Sequence, residues 1–526
     1  MSRPPIVDER HPGPLGSVEK PAGAWIGILS AAVALGAAEL LAVPFGPGSS
    51  PIVSVGGVVV DSAPEWLKSF AIRTFGSNDK LVLLAGIAVV LVVLAVVLGV
   101  ASVRRPRLGI GALAVLGAIG AAAAVSRPAN DLADALPSVA GAAAGMLAFL
   151  RLRHAAGLAT PLPPDPDPTI PGYDRRRFLR TGIAAAAVAA AAGGIGRILA
   201  SRAAADASRA GARIPPPSDA APVAAAAADL NIPGVAPFLT PNDRFYRVDT
   251  TLFVPAVDAS TWTLRIHGMV DRELTLDYRE VLARPLIERD VTIACVSNEV
   301  GGHYIGNARW TGARLADVLD EAGVNPGATQ LVSRSVDGFT IGTPTAIVMD
   351  GRDAMLAVAM NGDPLPLAHG FPVRMIVPGL YGYVSAMKWL VDLELTTLQA
   401  YDAYWVERGW SKEAPIKTES RIDTPRNGAD VPVGTVVVAG VAWAQHRGIE
   451  RVEVRIDDGP WNVATLGAED TIDTWRQWRF GWAATRGGHA IAVRATDGDG
   501  VTQTAQRATP FPDGASGYHT VLIQAS

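Results

Sequence analysis

Four long apolar runs within the first 150 residues, at 24–43, 81–103, 108–126 and 132–150, constrain this chain of 526 residues more than any other feature. Each has about the 20 residues that a helix needs to cross a bilayer, where a spanning segment must satisfy its backbone polar groups internally. One such run could be a buried core helix, but four in succession argue for a membrane. A fifth run, at 178–200, is weaker and rich in Ala and Gly. The expectation is a membrane domain over residues 1–200 with about five transmembrane helices. The apolar stretch 51–60 stops at Asp61 and reads as an interfacial or re-entrant piece.

Orientation follows from the positive residues of the short loops. Arg104, Arg105 and Arg107 separate the second and third runs, while Arg151, Arg153, Arg175, Arg176, Arg177 and Arg180 separate the fourth from the fifth. Both loops are expected in the cytoplasm, so residues 44–80 and everything after 200 fall outside the cytoplasmic membrane. The stretch Arg175-Arg176-Arg177-Phe178-Leu179-Arg180 also resembles a twin-arginine export signal, with Asp174 where such signals usually carry Ser or Thr; the plain alternative is a positive anchor. Glu39 is the one ionisable side chain well inside a run, and it is either snorkelling to the outer interface or functional. The eight His residues, at 11, 154, 267, 303, 369, 446, 489 and 519, avoid the runs, which argues against a bis-His haem there.

A formal net charge of −4 and the lack of a basic, aromatic-interleaved patch argue against nucleic acid as a partner. A single cysteine, Cys295, excludes an intramolecular disulfide, a zinc site of several thiolates and an iron–sulfur cluster. It also excludes a c-type haem attachment motif.

Residues 201–235 are Ala-rich, contain Pro215-Pro216-Pro217 and show little periodicity, as an extended linker would. Strand and helix signals then mix. Trp262, Leu264 and Ile266 alternate, Asp277 and Glu280 form a capping-box pattern, and 289–296 reads as a buried strand. Leu315, Val318, Leu319 and Ala322 make a helical stripe ending at Gly323. After about residue 418 the pattern is purely β, with alternation at 435–443, 449–456 and 489–495, which suggests an immunoglobulin-like β-sandwich over 418–526.

Cys295 stands in Thr292-Ile293-Ala294-Cys295-Val296-Ser297-Asn298, where a strand runs into a polar loop ending at Gly301-Gly302. The bland reading is a small buried hydrophobe. A thiol at a strand end beside such a loop is better placed to bind a soft metal, and a cysteine nucleophile with a His base is the rival. Further on come Asn361-Gly362-Asp363-Pro364-Leu365-Pro366, His369-Gly370-Phe371-Pro372-Val373-Arg374, Pro378-Gly379 and Lys388-Trp389-Leu390. With the lone cysteine these motifs resemble, in order, the sulfite oxidase family of molybdopterin enzymes, over about residues 235–526.

That resemblance implies an α+β molybdopterin domain at 236–417 followed by a dimerisation-type sandwich. It implies molybdenum held by one pterin cofactor and by the thiolate of Cys295. His369, Arg374 and Lys388 fall on positions that bind the pterin and its phosphate, Phe245, Tyr246 and Arg247 match a pterin-contacting element, and Asn298 and Asp337 match further positions. Arg247 is also a catalytic candidate beside Cys295. Taken singly, the His reads equally as a loop residue, the Arg and Lys as solvated charges and the Asn as a turn residue. The implied activity is oxygen-atom transfer on a small sulfur or nitrogen oxo-compound, with electrons exchanged with an external partner. No haem or iron–sulfur cluster is expected in this chain. Sulfite oxidases carry an Arg five residues after the Cys and a Tyr in a later loop, where this chain has Val300 and Trp410. A metal-free binding or assembly protein of the same fold, and a Cys-dependent hydrolase, remain as alternatives.

Overall fold

The computed structural model describes residues 19–158 and 195–526, apart from 46, most of 65–78, 128, 129, 157 and 252. The arginine motif at 175–180, and the fifth run as far as 194, lie outside the described residues. The chain divides into two compact units, Met1–Ala200 and Ser201–Ser526.

The first unit consists of α1 (Glu19–Ala42), α2 (Pro51–Ser62), α3 (Asp79–Ala101), α4 (Pro106–Val125) and α5 (Leu136–Ala155). Four of its helical segments, Lys20–Ala42, Val82–Ala101, Pro106–Val125 and Leu132–Ala155, are long and apolar enough to cross a membrane. Large apolar side chains such as Val89, Val93 and Val97 point outward from α3, more than half exposed. In a bilayer, lipid would cover such a face at no cost, whereas water would not. The helices approach through small residues: a Cβ on Gly145 would lie 3.0 Å from the Ser30 carbonyl oxygen, and one on Gly141 only 2.5 Å from that of Ala34. Small residues let backbones pack closely where no hydrophobic effect drives association.

The ends of this unit differ in charge. Arg153 is buried, and its guanidinium donates to the carbonyls of Ser102 (2.7 Å), Val103 (2.9 Å) and Leu158 (2.8 Å). That clamp ties the end of α3 to the end of α5, so the loop with Arg104, Arg105 and Arg107 shares one end with Arg151 and Arg153. The α5 helix runs to Ala155, five residues past the expected end, and takes His154 into its last turn. At the other end, Asp61 pairs with Arg127 at 2.9 Å. Glu39 is hydrogen-bonded there rather than free to snorkel, accepting from Ser50 Oγ at 2.6 Å and from the Ile52 amide at 3.4 Å. The stretch at 51–60 is a helix of 12 residues, capped by Ser50.

In the second unit the expected extended linker begins instead as helix, α6 (Ile195–Gly211), since Ala favours helix wherever nothing opposes it. The Pro-rich part that follows is extended but tied down: Ser218 N donates to Leu286 O at 2.9 Å and Leu230 N to Gln477 Oε1 at 2.6 Å. Partners of this kind come from distant edges and leave no periodicity in the sequence.

One sheet has the order β2-β1-β10-β5-β6, built from β1 (Thr263–Gly268), β2 (Leu274–Asp277), β5 (Gln330–Ser335), β6 (Thr340–Pro344) and β10 (Leu390–Thr396). The other has the order β3-β4-β7-β8, with β3 (Leu286–Ala294), β4 (Ile305–Arg314), β7 (Met355–Met360) and β8 (Asp363–Pro364), and β9 (Arg374–Ile376) pairs with β7. A continuous core joins them through Leu264, Ile266, Leu331 and Leu393 of the first sheet and Trp310, Met355 and Leu356 of the second. Helix α7 (Leu315–Ala322) buries the four stripe residues fully and ends at Gly323, whose φ of 72° is the left-handed cap conformation. The capping box is present, with Asp277 and Glu280 exchanging bonds of 2.8 and 2.7 Å.

From β11 (Glu419–Thr424) onward the chain is β-rich. Two sheets form, β11-β13-β17-β16 and β12-β19-β18-β14-β15, using β12 (Asp430–Val431), β13 (Gly434–Trp443), β14 (Ile449–Ile456), β15 (Trp461–Val463), β16 (Thr465–Leu466), β17 (Arg476–Ala484), β18 (Gly487–Asp497) and β19 (His519–Ala525). Val438 and Trp478 of one sheet and Val452 and Val493 of the other share a second core.

Candidate active site

The antiparallel pairing of β3 with β4 ends at Ala294 opposite Ile305, so Cys295 is the first residue beyond the ladder. The loop that follows is closed on itself. Cys295 N donates to Tyr304 O at 2.9 Å, Asn298 N to Cys295 O at 3.0 Å, and Tyr304 N to the Asn298 side-chain oxygen at 2.8 Å. A Cβ on Gly302 would meet that same Asn298 oxygen at 2.5 Å, so glycine is required there. Cys295 is partly exposed, with its sulfur 2.9 Å from Ser297 Oγ. Burial of the sulfur pushes the thiol above its usual range, and the Ser297 hydrogen bond works against that.

Behind the loop lies a buried aromatic and cationic cluster. Phe245 stacks on Tyr246 (ring centroids 5.3 Å apart) and meets Trp310 and His369 edge-on, at 5.7 and 5.6 Å. Arg374, 5% exposed, places its guanidinium 5.1 Å above the centre of the Trp310 ring. Burial pulls Arg374 down to about 10, with Tyr246 opposing, so it stays charged at neutral pH. Burial first, then the Arg374 charge, pushes His369 down to about 4; its Nε2 lies 3.1 Å from Asn242 O. Burial and the charge of Cys295 raise the Tyr246 phenol, with Arg374 opposing. Tyr246 is therefore electrostatically coupled to both the thiol and the guanidinium.

Two buried donors have no hydrogen-bond partner among the described residues, Arg374 Nε in this cluster and Asn298 Nδ2 in the Cys295 loop. Buried donors are nearly always satisfied, and leaving one bare costs about 1–3 kcal/mol, more for a charged group. A charged and a neutral donor of this kind fit an anionic, oxygen-rich molecule beside the cysteine. Among the described residues no three His, Cys, Asp or Glu side chains converge as a metal cage, so a metal here would have Cys295 as its protein ligand and take the rest from a cofactor.

The structure thus brings together Cys295, Asn298, Phe245, Tyr246, His369 and Arg374. Lys388 and Arg247 form an adjoining group around Asp249, whose side chain is 1% exposed: Arg247 Nε bonds to it at 2.6 Å and Lys388 Nζ forms an ion pair. Asp337 lies in the β5–β6 turn, bonded to Ser335 Oγ, beside Val336, whose amide donates to Trp389 O at 3.0 Å. Arg309 is held by Asp290 at 2.8 Å and Trp410 packs against Tyr383, Trp405 and Phe511. The sequence reading missed Asn242, Asp249 and Trp310. Asn242 and Asp249 flank the Phe245–Arg247 element and could have been found from it, whereas Trp310 looks like any core residue.

A profile described as "Oxidoreductase molybdopterin binding domain" matches residues 251–405. The Bacillus subtilis uncharacterized oxidoreductase YuiH is 33% identical over 153 residues, which is 29% of this chain and 74% of that protein. Human mitochondrial sulfite oxidase is 32% identical over 290 residues, 46% of this chain and 53% of that protein. The chain belongs to the sulfite oxidase family of molybdopterin oxidoreductases. This sulfite oxidase family protein spans about half the length of the sulfite oxidases it matches. Among solved structures, the sulfane dehydrogenase SoxCD from Paracoccus pantotrophus superimposes with a TM-score of 0.48 at 21% identity, covering 56% of this chain and 86% of that one.

Proposed function

We propose that this protein is a membrane-anchored molybdopterin enzyme that transfers an oxygen atom to or from a small sulfur or nitrogen compound. The supporting observation is the pair of buried, unpartnered donors, Asn298 Nδ2 in the Cys295 loop and Arg374 Nε in the cluster behind it. Cys295 would be the protein ligand to molybdenum, a soft thiolate suited to it. Arg374, Lys388 and Arg247 would make charge-assisted bonds to the cofactor's anionic oxygens. Phe245, Tyr246, Asn298, Asp337 and His369 would line its pterin. His369 is neutral at physiological pH and would bond through one ring nitrogen as donor or acceptor while the other faces Asn242 O. The cofactor, when bound, supplies the two-electron oxygen-atom transfer; the chain orients it, shields it from water and holds the compensating charge.

A cysteine hydrolase would need a thiol pulled down toward the thiolate by a neighbouring base. Burial raises this thiol instead, and its side-chain partner is Ser297. The proposed domain plan is a membrane domain to residue 200, a connecting segment at 201–235, a catalytic domain at 236–417 and an immunoglobulin-like sandwich at 418–526 that offers a face for a homodimer. Four candidate spans with arginines gathered at one end, followed by the 178–200 run as a fifth span, support a catalytic domain outside the cytoplasmic membrane and electron exchange with an external partner.

For the substrate, Val300 cannot form the charge-assisted bond that sulfite oxidases make at that position, and Trp410 offers a single N–H. Loss of such a bond costs roughly ten- to a hundredfold in binding. S-oxides and N-oxides are therefore expected to be better substrates than sulfite. Two measurements test the proposal: molybdenum and pterin content of the purified protein, and kcat/KM for sulfite oxidation beside reduction of several oxides. Protein that carries no molybdenum would remove the reading, and sulfite ahead of every oxide would remove the substrate preference.

A further inference from the structure

Helices α1 to α5 line a partly open cavity of about 170 Å3 with an almost wholly apolar lining. Three serines break that lining, and two of them are unsatisfied. Ser30 on α1 and Ser138 on α5 are 1% and 4% exposed, and neither hydroxyl has a hydrogen-bond partner among the described residues. A serine in a helix ordinarily bonds back to a carbonyl of the preceding turn, as Ser102 does to Gly99 O at 2.8 Å. Two bare hydroxyls on residues that line one apolar cavity suit a ligand with two acceptors.

Volume and spacing narrow the ligand. A dry cavity of about 150 Å3 accommodates one six-membered aromatic ring. Helices α1 and α5 run antiparallel, with Gly145 against Ser30 and Gly141 against Ala34. Ser138 lies seven residues before Gly145, which at about 1.5 Å per residue sets the two serines about 10 Å apart along the helices. A six-membered ring with carbonyls at opposite corners measures roughly 5 Å between oxygens, taking each C=O as about 1.23 Å. Adding a hydrogen bond of about 2.8 Å at each end gives roughly 11 Å. The side formed by α3 and α4 is also apolar: Ile119, half exposed on α4, lines the cavity together with Ile87 and Leu91 of α3.

We infer that this cavity binds the head group of a para-quinone, with Ser30 and Ser138 donating to its two carbonyl oxygens and its tail leaving between α3 and α4. The binding rests on the membrane reading of these helices. A role as electron carrier rests in addition on the oxidoreductase reading, with which it balances. A substrate oxide and a quinol give reduced substrate, quinone and water, the quinol losing two electrons and two protons. In reverse, substrate, water and quinone give the oxide and quinol.

The test is equilibrium binding of decylubiquinone and 1,4-naphthoquinone to the full chain in phosphatidylcholine nanodiscs. It needs no molybdenum, so its failure is distinct from failure of the proposed activity. Saturable binding of one quinone per chain is expected, with Ser30→Ala and Ser138→Ala each weakening it about five- to tenfold. Ser126→Ala, which loses only a bond to Ala123 O outside the cavity, leaves binding unchanged. Both cavity variants keep or raise the Tm, since each removes a buried hydroxyl with no protein partner. Absence of saturable binding, indifference to both serine variants, a lowered Tm in both, or equal competition by palmitate would each overturn the inference. The last would identify an acyl-chain site.

Discussion

A serine in place of Cys295 keeps nearly the same shape and the contact with Ser297, but exchanges a soft, polarisable sulfur for a hard oxygen. Cys295→Ser is therefore expected to lower bound molybdenum by at least about tenfold and to abolish activity without unfolding the chain. Metal analysis beside a circular dichroism spectrum checks both halves, and normal metal content with normal turnover would falsify the site. A different residue sets a pH dependence. Glu419 is 4% exposed, its Oε1 has no hydrogen-bond partner among the described residues, and burial pushes its carboxyl up to about 8, with Lys417 opposing. The folded state thus keeps a proton that the unfolded state releases near the ordinary 4.5. By linkage, stability is greatest below about 4.5, falls as pH rises toward about 8, and levels off above that. Glu419→Gln is expected to remove this slope and to gain on the order of 1–3 kcal/mol at pH 8. Thermal melts of both proteins from pH 5 to pH 9 measure it, and parallel curves would refute the assignment.

The Cys295 loop is braced from the C-terminal β-region. Arg421 of β11 donates to Gly302 O at 2.9 Å while its Nε pairs with Asp423 at 2.6 Å, and the His519 ring occupies the space a side chain on Gly301 would need. Arg421→Met keeps the aliphatic stem and removes the donor, so the loop loses one charge-assisted tie. A fall in kcat of about tenfold with most of the molybdenum retained is expected, and unchanged kcat would show that the loop holds its shape unaided. This brace was invisible in the sequence, because its partners are 119 positions apart and no periodicity links them. What was legible was local. The β3 strand end before Cys295, the Asp277–Glu280 box and the Leu315–Ala322 stripe closed by Gly323 each write their geometry into neighbouring residues. The candidate site divides the same way. The Phe245–Arg247, His369–Arg374 and Lys388 motifs announced themselves through resemblance, but the buried carboxylate of Asp249 between Arg247 and Lys388 needed the fold. Helix α6 at the head of the expected linker shows the converse, where alanine propensity prevailed over an absence of pattern.

For the whole chain the decisive question is which side of the membrane the Ser201–Ser526 unit occupies. The arginine loops and the clamp made by Arg153 gather positive charge at one end of the N-terminal unit, whereas Glu39, Asp61, Asp131 and Asp134 lie toward the other. Positive loops near spans stay in the cytoplasm, and acidic residues weigh little in that choice. Four candidate spans would return the chain to the side on which it began, so the outside position requires the run at 178–200 to cross as a fifth. The prediction is therefore specific to that run. A cysteine introduced at Ala220 in the Cys295→Ser background should be labelled by a membrane-impermeant maleimide in intact cells, and one introduced at Ala156 only after lysis. With residues 178–194 deleted, the label at position 220 should also wait for lysis, because four spans leave both ends inside. Labelling at 156 but not 220 in intact cells would invert the topology. Unchanged labelling at 220 after the deletion would mean that the 178–200 run does not span and that the arginine loops do not set the orientation.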